Sequence, residues 1–291
     1  MIYNVRHRTT YRYSQPVTFA RCVLRLSPRE TVAQAVLESV ITVTPRPARS
    51  QVHIGPFGER VTTVAVEAAH TELTIEVRSR VDVTRTPPAA EIDSPAWEAV
   101  REQAFASRRL GPEAPAHFLY PTAATPILSP ITAYGLESFA PGRPVLEAAA
   151  DLMGRIKRDF IYDPEATGVS TPAITAFEAR RGVCQDFTHI MIAALRGIGL
   201  PAAYVTGYLR TTPPLGRPRL EGADATHAWV WLWCGEELGW IGFDPTNDVV
   251  VAADHIMLAV GRDSADTAPI DGVILGAGEQ KLKVAVDVVP A

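Results

Sequence analysis

The stretch Arg180-Arg181-Gly182-Val183-Cys184-Gln185-Asp186-Phe187-Thr188-His189 runs straight into the apolar segment Ile190 to Leu195. An apolar run of this kind reads as a buried helix. Its start falls at Cys184, and Gly199-Leu200-Pro201 gives a stop signal of Gly followed by Pro. A cysteine at a helix N-terminus sits beside unpaired backbone N–H groups and the positive end of the helix dipole. Both favour a thiolate, whereas an ordinary thiol, with a pKa of about 8.5, is only a few per cent ionised at neutral pH. Cys184 is therefore the candidate nucleophile, and the rest of the chain can be asked what it supplies to it.

The chain has 291 residues, enough for two units or for one core with a large extension. Apolar residues make up 47%, so a full core is within reach and disorder is not expected. A net charge of −4 gives no basic footprint for nucleic acid. The opening Met1-Ile2-Tyr3-Asn4-Val5-Arg6-His7 lacks the apolar segment of a signal peptide, and no apolar run reaches membrane-spanning length. The expected compartment is the cytoplasm, with neither a membrane nor a nucleic acid as partner; oligomeric state is not legible. The three cysteines, Cys22, Cys184 and Cys234, are far apart and form no C-x-x-C, which argues against a disulfide framework or a cysteine-built zinc site. Cys22 reads as a buried strand residue and Cys234 as part of a hairpin turn.

Residues 1–88 read as an all-β domain. Runs rich in Val, Thr, Ile and Tyr recur at 3–13, 18–26, 35–43, 61–66 and 72–83, with turn signals between them, as in a sandwich or a curled antiparallel sheet. Arg6, His7 and Arg8 are expected to be solvated or sheet-face residues. A break at Thr86-Pro87-Pro88-Ala89-Ala90 opens a linking region, 89–143, with helical pieces expected near 94–107, where Ser94-Pro95 looks like a start, and near 132–139. Residues 144–291 form the third unit. Val145, Ala149, Leu152, Ile156 and Phe160 keep helical spacing, and a short helix follows Pro172 to about Arg180. After the Cys184 helix the pattern turns to strands at 203–209, 226–233 and 238–243, with a Pro- and Gly-rich loop at 211–223 and a last strand at 281–289.

A thiolate needs a base to manage its proton, and the base needs an orienter. His227 opens the very apolar strand Thr226 to Trp233, just after the polar Glu221-Gly222-Ala223-Asp224. Asp244 ends the next strand, and Pro245 stops its pairing. In an antiparallel hairpin joined by Cys234-Gly235-Glu236-Glu237, each lies about seven residues from its end of the connection, so the two are neighbours. The order Cys184, His227, Asp244 gives a nucleophile, a general base, and an orienter of the imidazole. His189 is a weaker base candidate, since five residues along a helix turn it about 140° from the cysteine. His255 is another candidate, arriving from a later segment. A metal set of Cys184, His227 and Asp244 lacks any close ligand pair, so no metal and no other cofactor is expected. The backbone N–H of Cys184 is the natural first oxyanion donor; Gln185, Tyr162 and a tryptophan N–H remain open as the second. Asp186 reads as a first-turn helix acid, and Trp229, Trp231 and Trp240 as core or cleft wall.

The run Gly182 to Phe187, the block His227-Ala228-Trp229 and the block Gly242-Phe243-Asp244-Pro245-Thr246-Asn247 together resemble the bacterial transglutaminase-like proteins of the transglutaminase/protease-like superfamily. Gly199 to Ala202, Tyr204 to Leu209, His255-Ile256 and Ala259 to Asp263 match as well, and Tyr11 to Val17 resembles the β-rich region that accompanies that core. The resemblance implies an α+β fold: a papain-like transglutaminase core with a cysteine-bearing helix on an antiparallel sheet, behind an N-terminal all-β domain. It carries over Cys184, His227 and Asp244 as a triad for thiol acyl transfer on a peptide or protein amide, through a thioester released to water or to an amine. Hydrolysis is favoured because water is always available. An amine-exchanging or cross-linking transglutaminase is the alternative, and a non-enzymatic peptide-binding module on the same fold is the second class. Residues 89–144 match no motif of the family.

Overall fold

The computed structural model describes residues 1–89, 92–211, 225–276 and 278–291. Nearly all of the expected loop at 211–223, the polar Glu221–Asp224 segment and Ala90 lie outside the described residues.

The first six strands are β1 (Ile2–Val17), β2 (Phe19–Leu24), β3 (Gln34–Thr44), β4 (Arg49–Ile54), β5 (Arg60–Val66) and β6 (His70–Val83). Helices α1 (Trp97–Ala106), α2 (Ser129–Leu136) and α3 (Val145–Asp159) follow, with a short 3-10 turn at Pro115–Phe118. Then come β7 (Ile161–Tyr162), α4 (Ala173–Ala179), β8 (Arg181–Gly182) and α5 (Cys184–Gly197). The chain finishes with β9 (Ala202–Leu209), β10 (Ala225–Trp233), β11 (Trp240–Asp244), β12 (Val249–Val250), β13 (His255–Gly261), β14 (Ile270–Leu275) and β15 (Gln280–Pro290). No helix among the described residues is long and apolar enough to cross a membrane.

Three antiparallel sheets organise these elements: β15-β1-β6-β3, β14-β2-β5-β4 and β12-β11-β10-β9-β13. Period-two alternation makes the first sheet two-faced. Tyr3, Val5, His7 and Thr9 of β1 turn inward, while Asn4 and Arg8 turn out. That inner face is shared along its length. At one end Leu73, Ile75 and Val77 close a sandwich core with Ala20, Cys22, Leu24, Val64 and Val66 of the second sheet. At the other end Tyr3, Val5, Val81, Val83, Val286 and Val288 pack on Tyr208, Ile256 and Leu258 of the third sheet. Each fully buried aliphatic side chain contributes about 1.5–3 kcal/mol, so this seam holds like a domain core rather than a loose contact.

The last two strands differ from the sequence expectation. The tail strand, expected with residues 144–291, pairs with β1, Tyr3 opposite Pro290 through Tyr13 opposite Gln280. β14 pairs with β2 of the second sheet in the same way. Alternation announces a strand but not which edge it will join. Of the three residues expected to be solvated or on a sheet face, His7 takes the buried sheet face, because β1 sends odd positions inward. The region 89–143 supplies Trp97, Val100, Leu119, Ile131 and Phe139 to the main core around α5. α2 begins at Ser129, earlier than expected, because Pro130 is accepted in the first turn of a helix. α1 begins at Trp97, and Ser94 leaves the capping role to accept a bond from the Leu146 N–H instead.

α5 is the centre of the third unit. Every residue from Asp186 to Arg196 is buried, and the helix packs on β9 and β10 and against α2 and α4. Gly199, at φ +85°, ends it in the left-handed region, and Leu200 N–H bonds back to Leu195 O. Arg196, in the last turn, is buried and gives hydrogen bonds to the carbonyls of Phe118, Tyr120, Ala202 and Arg262 and to Thr125 Oγ1. One guanidinium thus ties the linking region, β9 and the end of β13 to the helix that carries Cys184.

Candidate active site

Cys184 occupies the first position of α5, so its N–H has no intrahelical partner. The helix start is fixed by Asp186. Its Oδ2 accepts the Val183 N–H at 2.8 Å and the Thr167 hydroxyl at 2.6 Å. A Cβ at position 182 would lie 2.6 Å from that same oxygen, so only glycine fits before the cysteine. The side chain of Cys184 is half-buried and meets the edge of the main core.

β10 and β11 pair from Val230 opposite Phe243 to Trp233 opposite Trp240 and then diverge. His227 therefore stands beyond the last pair, and Asp244 lies two residues short of facing it, a diagonal neighbour rather than a direct one. Asp244 spans the gap because Pro245 turns the chain there. Thr246 N–H and Asn247 N–H bond to its Oδ1 at 3.0 and 3.3 Å, an Asx-type turn. Oδ2 is left to face the strands. It accepts His227 Nε2 at 2.8 Å, Asn247 Nδ2 at 2.7 Å and His255 Nε2 at 3.2 Å. Cys184 and Asp244 both act on the His227 imidazole, and with Nε2 on the carboxylate, Nδ1 is the ring nitrogen left open.

Burial works to lower the His227 pKa, but the hydrogen bonds and charges of Asp244 and Cys184 outweigh it and push the group up to about 10. Burial works to raise Asp244, and the bonds from His227, His255 and Asn247 outweigh that, holding the carboxyl well below the usual carboxylate range. The arrangement favours the protonated imidazole, held against a buried carboxylate.

The other sequence candidates separate clearly. Gln185 spends one amide N–H on Val169 O at 3.0 Å. Tyr162 is half-exposed, and burial together with the charge of Cys184 raises its hydroxyl, so it stays able to donate. His189 points elsewhere, packing on Tyr204 and accepting the Ser264 N–H at 3.3 Å. Burial drives it down to about 4. Trp229 and Trp233 are buried core, and Trp231 stacks on Trp240 at 5.2 Å. The donor atoms of His227, Asp244 and His255 lie within 4.8 Å of one another; five protein donors already occupy that carboxylate, which is a hydrogen-bonded arrangement rather than an open ligand set.

Residues 3–82 match the bacterial transglutaminase-like N-terminal region, and residues 135–245 match the transglutaminase-like superfamily. An uncharacterized protein of Mycobacterium tuberculosis is 39% identical over 295 residues, covering 99% of this chain and 92% of that protein. The chain belongs to the transglutaminase-like superfamily. An uncharacterized protein of Mycobacterium leprae is 35% identical over 289 residues, covering 98% of this chain and 97% of its own length. Among solved structures, a proposed cysteine protease from Cytophaga hutchinsonii superposes with a TM-score of 0.75 at 21% identity, across 100% of this chain and 91% of that one. That likeness bears on the fold: α+β, with antiparallel sheets and a β-rich N-terminal region.

Within this transglutaminase-like fold, two contacts escaped the sequence reading. Asn247 was quoted inside a motif but given no task, although Asp-Pro-Thr-Asn is a readable turn signal. His255 reads from the sequence as a rival base and as part of a family match, but nothing local assigns it to Asp244, because β13 is buried throughout and shows no alternation.

Proposed function

We propose that this transglutaminase-like cysteine enzyme cleaves or transfers the acyl group of a peptide or protein amide through a thioester on Cys184. The observation that carries the reading is the His227–Asp244 hydrogen bond, on an imidazole whose pKa Cys184 also helps to raise. The thiolate of Cys184 attacks the amide carbonyl carbon. The developing oxyanion is met by the Cys184 N–H at the helix start, and we take the Tyr162 hydroxyl as second donor over Gln185, which already spends one amide N–H on Val169 O. As the C–N bond breaks, the His227 imidazolium gives its proton to the leaving amine. Water then attacks the thioester while His227 takes one of its protons, the C–S bond breaks, and thiolate and carboxylic acid separate. A primary amine in place of water would give the exchanged amide instead.

Incubation with peptide mixtures, followed by intact-mass analysis, should trap an acyl adduct on Cys184. An added primary amine that appears in the product would select transfer over hydrolysis. The reading is overturned if no amide donor acylates Cys184 and its alkylation by iodoacetamide runs at the same rate in His227→Ala.

A further inference from the structure

Asp244 serves two imidazoles, and the chemistry above uses only one. We propose that His255 is a positioning residue, a neutral imidazole whose Nε2–H anchors Asp244 Oδ2 so that the carboxylate keeps facing His227. The role rests on the reading of Cys184 and His227 just given.

His255 Nε2 lies 3.2 Å from Oδ2, and a carboxylate that serves as His227's acceptor can only accept from it. The other ring nitrogen, Nδ1, is buried with no partner among the described residues. A charged ring would put a second N–H into that unpartnered place, and burying an unpaired donor is costly. The geometry therefore fits the neutral ring with its proton on Nε2, facing the carboxylate. The ring itself is clamped. Trp229 packs against it edge to face at 5.2 Å and 78°. Its backbone is held in register opposite Leu209 of β9, and its carbonyl accepts Arg85 Nη1 at 2.9 Å. His255 is 3% exposed, so water does not compete for the bond.

An anchor is needed because a carboxylate rotates easily about its last torsion, which has broad minima. The turn amides of Thr246 and Asn247 fix Oδ1. Oδ2 is fixed by Asn247, on the same turn, and by His255, on a different and fully buried strand. Without the second anchor, Oδ2 can follow the turn away from His227. Supporting bonds of this kind behind a working imidazole are typically worth about 10–100-fold in function where they have been measured at metal sites.

Two substitutions separate positioning from packing. His255→Phe keeps an aromatic ring against Trp229 and donates nothing. His255→Gln loses the ring but offers an amide N–H at similar reach. The readout is the rate of Cys184 alkylation by iodoacetamide, followed by intact mass, with His227→Ala as reference and circular dichroism as a check on folding. Positioning predicts a fall of about 10–100-fold for Phe and near-parental rates for Gln. The proposal fails if Phe reacts like the parent, or if Gln falls as far as Phe. An unchanged rate in His227→Ala sinks the function proposed above; a slow His227→Ala beside a normal His255→Phe sinks only the role of His255. Should the Phe variant not fold, nitrogen-15 shifts of the His255 ring in the unaltered protein decide the point. A neutral ring protonated at Nε2 around neutral pH is expected, and a proton on Nδ1 would overturn the assignment.

Discussion

His7 and His227 are both sealed from bulk water, at 2% and 9% exposure, and only β9 separates their surroundings. Tyr208 of β9 places its hydroxyl 3.0 Å from His7 Nδ1, and within its own sheet it pairs with Thr226, next to His227, and with Ile256. Yet burial drives His7 down to about 4, while His227 is pushed up to about 10. The difference lies in the partners. His7 sits between two neutral hydroxyls, those of Tyr208 and Thr9. His227 has a carboxylate and a thiol. Burial alone makes an imidazole a neutral packing element; a buried anion makes the same ring a cation with a proton to give.

The comparison can be broken or sharpened in graded steps. Cys184→Ala should abolish covalent labelling at that position by any amide donor or alkylating agent, and should lower the His227 pKa by removing one of its two supports. Stability should change by less than about 1 kcal/mol, since the side chain is only half-buried; urea midpoints and imidazole NMR titration check both. Asp244→Asn should convert the His227 surroundings to the kind His7 has. Cys184 alkylation near neutral pH should drop about 10² to 10⁴-fold, and a His227 that still titrates in the alkaline range would break the comparison.

The pH dependence of stability has opposite signs for the two rings. His7 binds its proton less well folded than unfolded. Its contribution is intact above the ordinary histidine pKa of about 6.5 and is lost as pH falls toward about 4, by roughly 3 kcal/mol. His189, also lowered to about 4, adds a loss of the same sign. His227 binds its proton better folded, so its contribution is complete below about 6.5 and disappears as pH rises through about 10. Urea midpoints measured across pH should fall on both sides, and His7→Phe should flatten the acid side while leaving Cys184 alkylation unchanged. The smallest effect expected is that of Asp186→Ala, about 1 kcal/mol from the lost bond to the Val183 N–H, read as a shift in thermal midpoint.

Much of the site was legible because its signals are local. A cysteine before an apolar helical run, and a histidine and an aspartate at the mouth of a hairpin, can be read without knowing the fold. The pairing register was legible only roughly, since the strands diverge after Val230 and Phe243 and the turn at Pro245 brings Asp244 inward. What stayed hidden depends on contacts between distant segments. β4 has no buried face to mark it, and β13 is buried on both faces, so neither alternates. His7 could not be told from Arg6 and Arg8 until β1 had a sheet to give it an inside. The task of Arg196 is equally invisible along the chain, because its carbonyl partners span residues 118 to 262.

The sheet built on β1 deserves one further consequence. Because the same strands roof the sandwich at one end and the cysteine-bearing unit at the other, the two parts are joined through one shared sheet. Denaturant should take them apart in one step, and a tether gripping either part should transmit its pull straight to the other.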